Sequence, residues 1–344
     1  MKRIVLNGKF FAQRVAGVQR YAREVVSVLD SLALEHDVEI LVPKNAQNVP
    51  TFHRIRLKKA PLRASLLFEQ IYLPLYVFFH HAICVNLCHV APILNPGIVC
   101  IHDANVLTHP RWFPKKLYYW YKLVQTSCGK FAKRILTVSD FSKSELKKSL
   151  LLKDSQIVNI GSGWQHFLRI ECSEKILKEK GLEPHKYYFS LGTQAQYKNM
   201  HWVYEIAKKN PKEIFVLSGA FYNKVFKDNT EKKPLNVRFL GYLSDSEVKT
   251  LMRDCKAFLF PSLYEGFGIP PLEAMSTGCP VVVSDIPVMH EIFEQSVHFI
   301  DPNNAEVDLE DLLRQPLSPS EPILKKYSWE KCARMLWGEI LSLE

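Results

Sequence analysis

At 344 residues, 47% of them hydrophobic and 23% charged, the chain has the composition of an ordinary globular enzyme, and it exceeds the length at which one hydrophobic core stops growing, so two domains are expected. Eight cysteines, at positions 84, 88, 100, 128, 172, 255, 279 and 332, are scattered without a CxxC pair, which argues against a disulfide framework and reads as reduced thiols packed in cores. The net charge of +10 is unequally shared: residues 1–170 carry 24 Lys+Arg against 10 Asp+Glu and residues 171–344 carry 21 against 25, so the first half is the one expected to face an anionic partner.

Met1-Lys2-Arg3 runs straight into the strand-like Ile4–Asn7, with no signal-peptide pattern. A helix follows in which Val18, Tyr21, Ala22, Val25, Leu29 and Leu32 share one face, then a second strand over Val38–Val42. Basic residues cluster next, at Arg54, Arg56, Lys58, Lys59 and Arg63. From Gln70 to His102 there is no Lys, Arg, Asp or Glu, a length that would permit a membrane span. Pro74, Asn86, Pro92, Asn95, Pro96 and Gly97 interrupt it, so it reads as a short helix and two buried parallel strands, Ile83–Leu87 and Ile98–His102. Cys84 and Cys88 with His80, His81 and His89 match no zinc spacing. More positive charge follows at Lys115, Lys116, Lys143, Lys147 and Lys148; Ile135–Ser139 forms the next strand, and Ser142 with Glu145 reads as a capping box opening a helix. The pattern breaks at Gly161 and Gly163, a linker expected over 161–176. Strands then resume at Tyr187–Leu191, Ile214–Ser218, Val237–Leu240, Ala257–Phe260, Val281–Ser284 and Val297–Ile300, with a second capping box at Ser244 and Glu247. This rhythm predicts an α/β protein of two doubly wound, Rossmann-like parallel-sheet domains facing a cleft, with ligand beyond the carboxyl ends of the strands.

The chemistry concentrates between Phe260 and Val283. A strand ends at Pro261-Ser262, a turn follows with Glu265, Gly266, Phe267 and Gly268, and a short helix carries Glu273. Glycine lets a ligand approach the backbone, and a helix start favours phosphate. The bland alternative makes Glu265 a dipole partner and Glu273 a solvated helix residue.

The block resembles the E-x7-E signature of the retaining GT-B glycosyltransferases of family four, of the bacterial surface-polysaccharide type. Other segments resemble that family in the same order: Gly17-Val18-Gln19-Arg20-Tyr21, Ile101-His102-Asp103, Thr137 to Ser142, Leu191-Gly192-Thr193 with Lys198-Asn199, Gly241 to Asp245, and Tyr327-Ser328-Trp329. The resemblance implies that Glu273 binds the ribose hydroxyls of a nucleotide-sugar donor. Glu265, Gly266, Phe267 and Gly268 would hold the donor sugar, Lys198 and Gly17 would meet the diphosphate, His102 would face the reacting sugar, and Tyr242 and Leu243 would add donor contacts. It implies domains at 1–168, on the acceptor side, and 169–325, on the nucleotide-sugar side, with a helix over 326–344 packing back toward the first. Two positions depart from the family: Ala16-Gly17 stands for Gly-Gly, and Tyr197 stands where an arginine often precedes the lysine.

No Asp-x-Asp occurs, so no metal and no cofactor is expected; Lys198 and helix starts offer the countercharge instead. The expected partners are a nucleotide-sugar donor (GDP-mannose or a UDP-sugar), a saccharide acceptor, lipid-linked, and an anionic membrane surface. The expected place is the cytoplasm, at the inner face of the membrane, and no nucleic-acid module is visible. A hydride-transferring enzyme would need G-x-G-x-x-G after the first strand, where Asn7-Gly8-Lys9-Phe10 stands. A nucleotide-sugar-binding protein without catalysis is the remaining alternative.

Overall fold

The computed structural model describes residues 3–33, 36–193, 195–219 and 234–343; the Met1-Lys2 start read above lies outside them. The chain forms two compact units, one of residues 1–163 with 327–344 and one of residues 164–326.

In chain order the first unit runs β1 (Ile4–Asn7), α1 (Gly17–Leu32), β2 (Val38–Val42), β3 (Arg56–Lys59), α2 (Leu73–Phe79), β4 (Ile83–Asn86), β5 (Ile98–Cys100), α3 (Asn105–Thr108), α4 (Lys115–Phe131), β6 (Arg134–Thr137), α5 (Asp140–Leu150) and β7 (Ile157–Asn159). The second runs α6 (Lys175–Glu179), β8 (Tyr187–Leu191), α7 (Met200–Lys209), β9 (Ile214–Ser218), β10 (Val237–Phe239), α8 (Asp245–Arg253), β11 (Ala257–Phe260), α9 (Ile269–Ser276), β12 (Val281–Ser284), α10 (Pro287–Phe293), β13 (His298–Ile300), α11 (Leu309–Leu313) and α12 (Glu321–Lys326). A last helix, α13 (Trp329–Leu341), returns to the first unit and packs along α1, with the Trp329 ring edge-on to Tyr21 at 5.7 Å.

Among the described residues both sheets are wholly parallel, ordered β3-β2-β1-β4-β5-β6-β7 and β10-β9-β8-β11-β12-β13. Leu6 of the central β1 pairs with Ile40 on one side and Val85 on the other, and all three are buried, as helices on both faces require. The two strands that hydrophobicity did not mark, β3 and β7, are the edges of the first sheet. Every residue of β3 is exposed, so it carries no apolar run.

One of the two expected capping boxes changes. Helix α5 begins directly after Ser139, and Ser139, whose side chain accepts from Ser142 N at 3.0 Å, is its cap in place of the box expected at Ser142 and Glu145. The box at Ser244 and Glu247 forms as read, with Glu247 Oε2 accepting from Ser244 N at 2.7 Å. In the basic cluster Arg56 is paired with Asp37, and Arg54 donates to Ser31 O, while Lys58 and Lys59 stay exposed. The uncharged segment does hold a short helix and two buried strands. Helix α2 and the turn before it bury Phe68, Leu73 and Val77 against Val5 and Leu41, but expose Leu67, Ile71, Leu75, Phe78 and Phe79. No helix among the described residues is long and apolar enough to cross a membrane.

Candidate active site

In the second sheet the chain reverses direction of travel at β8: β9 lies on one side of it and β11 on the other. Loops leaving two such strands diverge and open a crevice, the usual ligand site of α/β sheets. Lys198 follows β8 and Glu265 follows β11, so the topology sets them on either side of this point. Lys198 Nζ lies 2.5 Å from Glu265 Oε1, with both side chains largely buried. The ammonium also stands over the rings of Phe260, at 5.1 Å, and Tyr197, at 5.4 Å. Tyr197, in the place of the family's arginine, thus gives the lysine an aromatic face rather than a second charge. The backbone fixes this pairing. Leu263 N donates to Tyr197 O at 2.8 Å, and Asn199, at a left-handed φ of 53°, donates through Nδ2 to Pro261 O at 3.0 Å and Pro302 O at 2.7 Å.

The turn after Glu265 is set by Gly268, whose φ of +106° is strained for any other residue. A Cβ there would also lie 3.2 Å from the Phe293 ring and 3.3 Å from Met289. Helix α9 starts at Ile269 with no side-chain cap, and Pro270 and Pro271 carry no N–H. The helix start is therefore poorer in donors than a proline-free one, and a ligand at this turn meets amides only up to Ile269. Phe267 is buried beneath the turn, and Gly266 lies within it.

Glu273 is only 8% exposed, which overturns the solvated-helix alternative. His166 Nε2 donates to Glu273 Oε1 at 2.8 Å; a carboxylate only accepts, so the proton sits on Nε2. No other described residue bonds the Glu273 carboxylate, and Oε2 keeps its acceptor capacity. His166 is the residue that sequence reading missed. It is 107 positions from Glu273 and no motif marks it; its loop is pinned by Lys249 Nζ, which donates to Phe167 O at 2.8 Å and Ile170 O at 2.7 Å. Of the remaining pair, Leu243 is buried and Tyr242 exposed. The loops after β8, β9 and β10 are laced by Gly192 N to Ser218 O and Gly219 N to Gly241 O, both 2.9 Å.

Gly17 and His102 belong to the first unit. Beyond its chain neighbours and its own helix backbone, no atom of the described residues lies within 4 Å of where a Gly17 Cβ would sit, and α1 begins there without a side-chain cap or an acidic first turn. His102 is buried just past β5, and its Nε2 donates to Leu87 O at 2.9 Å, leaving Nδ1 as an acceptor. Its ring stands edge-on to Tyr21 at 4.5 Å and 4.8 Å from the His89 ring. Burial, with His89 adding to it, pushes the His102 imidazole down to about 3, and burial pushes His89 down to about 4, so both are neutral near pH 7.

Residues 173–326 match the family described as "Glycosyl transferases group 1". This segment has the sequence of a group 1 glycosyltransferase. It is 29% identical over 262 residues to the O-antigen chain mannosyltransferase B of Escherichia coli, covering 70% of this chain and 68% of that one. It is 29% identical over 224 residues to the O-antigen chain mannosyltransferase RfbU of Salmonella typhimurium, covering 63% and 60%. In fold the chain is similar to sucrose-phosphate synthase from Thermosynechococcus elongatus over 100% of both chains, with a TM-score of 0.74 and 15% identity. It is similar also to WaaG, a glycosyltransferase involved in lipopolysaccharide biosynthesis, over 97% and 94% of the chains, with a TM-score of 0.64 and 16% identity. These two likenesses show the GT-B class of fold, two Rossmann-like parallel-sheet units. Lys198, Glu265 and Glu273 fall inside the matched segment, whereas Gly17, His102 and His166 lie before it.

Proposed function

We propose that this glycosyltransferase is a retaining, metal-independent hexosyltransferase that moves a sugar from a nucleotide donor to a saccharide acceptor in bacterial surface-polysaccharide synthesis. The observation that carries the reading is the Lys198–Glu265 pair at the sheet's reversal, on the same strand–turn–helix block as the buried Glu273. Glu273 Oε2, open while His166 holds Oε1, suits a ribose hydroxyl. Lys198 suits the diphosphate and lets it leave, with Glu265 and the Phe267–Gly268 amides on the donor sugar. In the first unit, taken by itself, the uncapped start of α1 at Gly17 suits a phosphate, and His102 Nδ1 suits a sugar hydroxyl. No nucleophile is assigned: in front-face attack the departing phosphate takes the acceptor's proton. The two mannosyltransferase relatives favour GDP-mannose over a UDP-sugar as donor, and O-antigen as the product class. A lipid-linked acceptor at an anionic cytoplasmic membrane face completes the proposal.

Calorimetric titration with GDP and UDP in excess EDTA tests it. One nucleotide should bind, Glu273→Ala should lose about 1.5–3 kcal/mol of affinity, and donor turnover should survive the chelator. Unchanged affinity in a folded Glu273→Ala variant contradicts the ribose role. Transfer abolished by EDTA and restored by Mg²⁺ contradicts metal independence.

A further inference from the structure

Three sequence features meet in the first unit: Tyr21 of the Gly17 motif on α1, the stretch 161–163 after β7, and Trp329 at the start of α13. They converge on the Tyr21 side chain, which is wholly buried. Its ring stands edge-on to Trp329 at 5.7 Å and edge-on to His102 at 4.5 Å. Its hydroxyl lies 3.1 Å from Cys332 Sγ, in the first turn of α13. The Cys332 thiol donates to Gly161 O, 3.6 Å away, so the sulfur accepts and the Tyr21 hydroxyl donates. The Cys100 thiol, at the end of β5 and two residues before His102, is a further polar neighbour of that hydroxyl. The approach of α13 is close: a Cβ on Gly163 would lie 2.4 Å from Trp329 N, so the backbones meet where only glycine fits.

This is a poor place for a hydroxyl if stability alone is at stake. Sulfur is a weak acceptor, and a buried hydroxyl exchanges its bonds to water for it. Phenylalanine would bury the same ring without that loss. What the hydroxyl supplies is a tether, which holds the far end of the ring to α13 and so keeps the edge facing His102 in one place. His102 needs such a wall. Its hydrogen bond, Nε2 to Leu87 O at 2.9 Å, fixes one atom of the imidazole and lets the ring swing about it. The Tyr21 and His89 rings, 4.5 and 4.8 Å away, restrict that swing. We infer that Tyr21 is a positioning residue: tethered to α13 through Cys332, its ring fixes the direction in which His102 presents Nδ1. The inference rests on the reading above that His102 Nδ1 meets a sugar hydroxyl, and it ties that contact to α13.

Donor turnover and nucleotide affinity test it on the full chain, with GDP-mannose or the UDP-sugar that wild type turns over. Tyr21→Phe should lower kcat about three- to tenfold, with donor KM and nucleoside diphosphate affinity within twofold of wild type and the urea midpoint unchanged. Cys332→Ala should lower kcat as much, and the double variant no further, because both remove one bond. Cys332→Ser, whose hydroxyl both accepts and donates, should recover most of what Cys332→Ala loses. Nitrogen-15 NMR of the His102 imidazole should show a single state protonated at Nε2 in wild type, and line broadening from a moving ring in Tyr21→Phe. Wild-type kcat in folded Tyr21→Phe, or a lowered urea midpoint that makes the hydroxyl part of the fold's stability, overturns the positioning role. A rate loss in His102→Ala then leaves the reading of His102 standing, whereas unchanged kcat in His102→Ala overturns both.

Discussion

His102 and His89 are neutral imidazoles kept so by burial, and this ties the first unit to pH. An unfolded histidine takes up its proton below about pH 6.5, whereas the folded pair resists down to about 3 and about 4. Between those values the unfolded state binds more protons, so stability falls as pH falls. The Asp103 carboxylate, which raises His102, opposes the trend without reversing it. From pH 7 to pH 5 the two together should cost ~3–4 kcal/mol, a large part of the 5–15 kcal/mol typical of a domain. Urea melts at both pH values should show the loss, and His89→Asn with His102→Asn should remove most of it. Equal pH slopes in wild type and double variant would contradict the neutral-pair assignment.

The glycines at the two helix starts are alike in sequence and different in cause. Gly268 is demanded by its own backbone and by Phe293 and Met289, so Gly268→Ala should destabilise by about 1–3 kcal/mol. Gly17 meets no neighbour, so Gly17→Ala should leave the urea midpoint unchanged or raised while lowering transfer activity. A midpoint loss as large in Gly17→Ala would mean that packing, not a ligand, requires that glycine. The same division explains what was legible beforehand. The central strands are continuous apolar runs because parallel sheets bury both faces, and they were readable to within a residue or two. The edge strands β3 and β7 need no such run and were not. Ser139 lost to Ser142 as the expected cap because a capping box is a local pattern, whereas the true cap is fixed by where β6 ends. Lys198, Glu265 and Glu273 lie in or beside readable turns. His166 reaches Glu273 over 107 positions, which no periodicity carries.

At the scale of the whole molecule, the excess of 24 Lys+Arg over 10 Asp+Glu in residues 1–170 coincides with an apolar surface on the same unit. Gln70, on the turn leading into α2, bonds Ala91 O at 3.1 Å and Ile93 N at 2.9 Å, and Ser127 of α4 donates to Ile93 O at 2.7 Å. This stitching sets the exposed Leu94 between α2 and α4. The same unit exposes Leu67, Ile71, Leu75, Phe78 and Phe79 on α2 and the turn before it and Tyr119 and Leu123 on α4, with Phe78 66% and Phe79 71% exposed. Five large apolar side chains exposed along one short helix and its leading turn are the kind of surface that marks an interaction site. Neither α2 nor α4 contains an acidic residue, and Lys115, Lys116 and Lys122 are exposed on α4. Lys115 and Lys116 sit on a helix N-terminus, where the dipole disfavours cations, so their placement costs local stability and fits an outside anion. Exposed apolar side chains and exposed lysines on one unit suit an anionic bilayer, with ~1 kcal/mol per lysine and ~2 kcal/mol per buried phenylalanine available. The protein should co-sediment with phosphatidylglycerol vesicles, less so in high salt. Phe78→Ser with Phe79→Ser should weaken binding at every salt concentration. Lys115→Gln, Lys116→Gln and Lys122→Gln together should weaken it and flatten the salt dependence. Changing Arg54 and Arg56, already committed to Ser31 and Asp37, should do less. No sedimentation with vesicles even at low salt would remove the membrane from the proposal and leave the acceptor soluble.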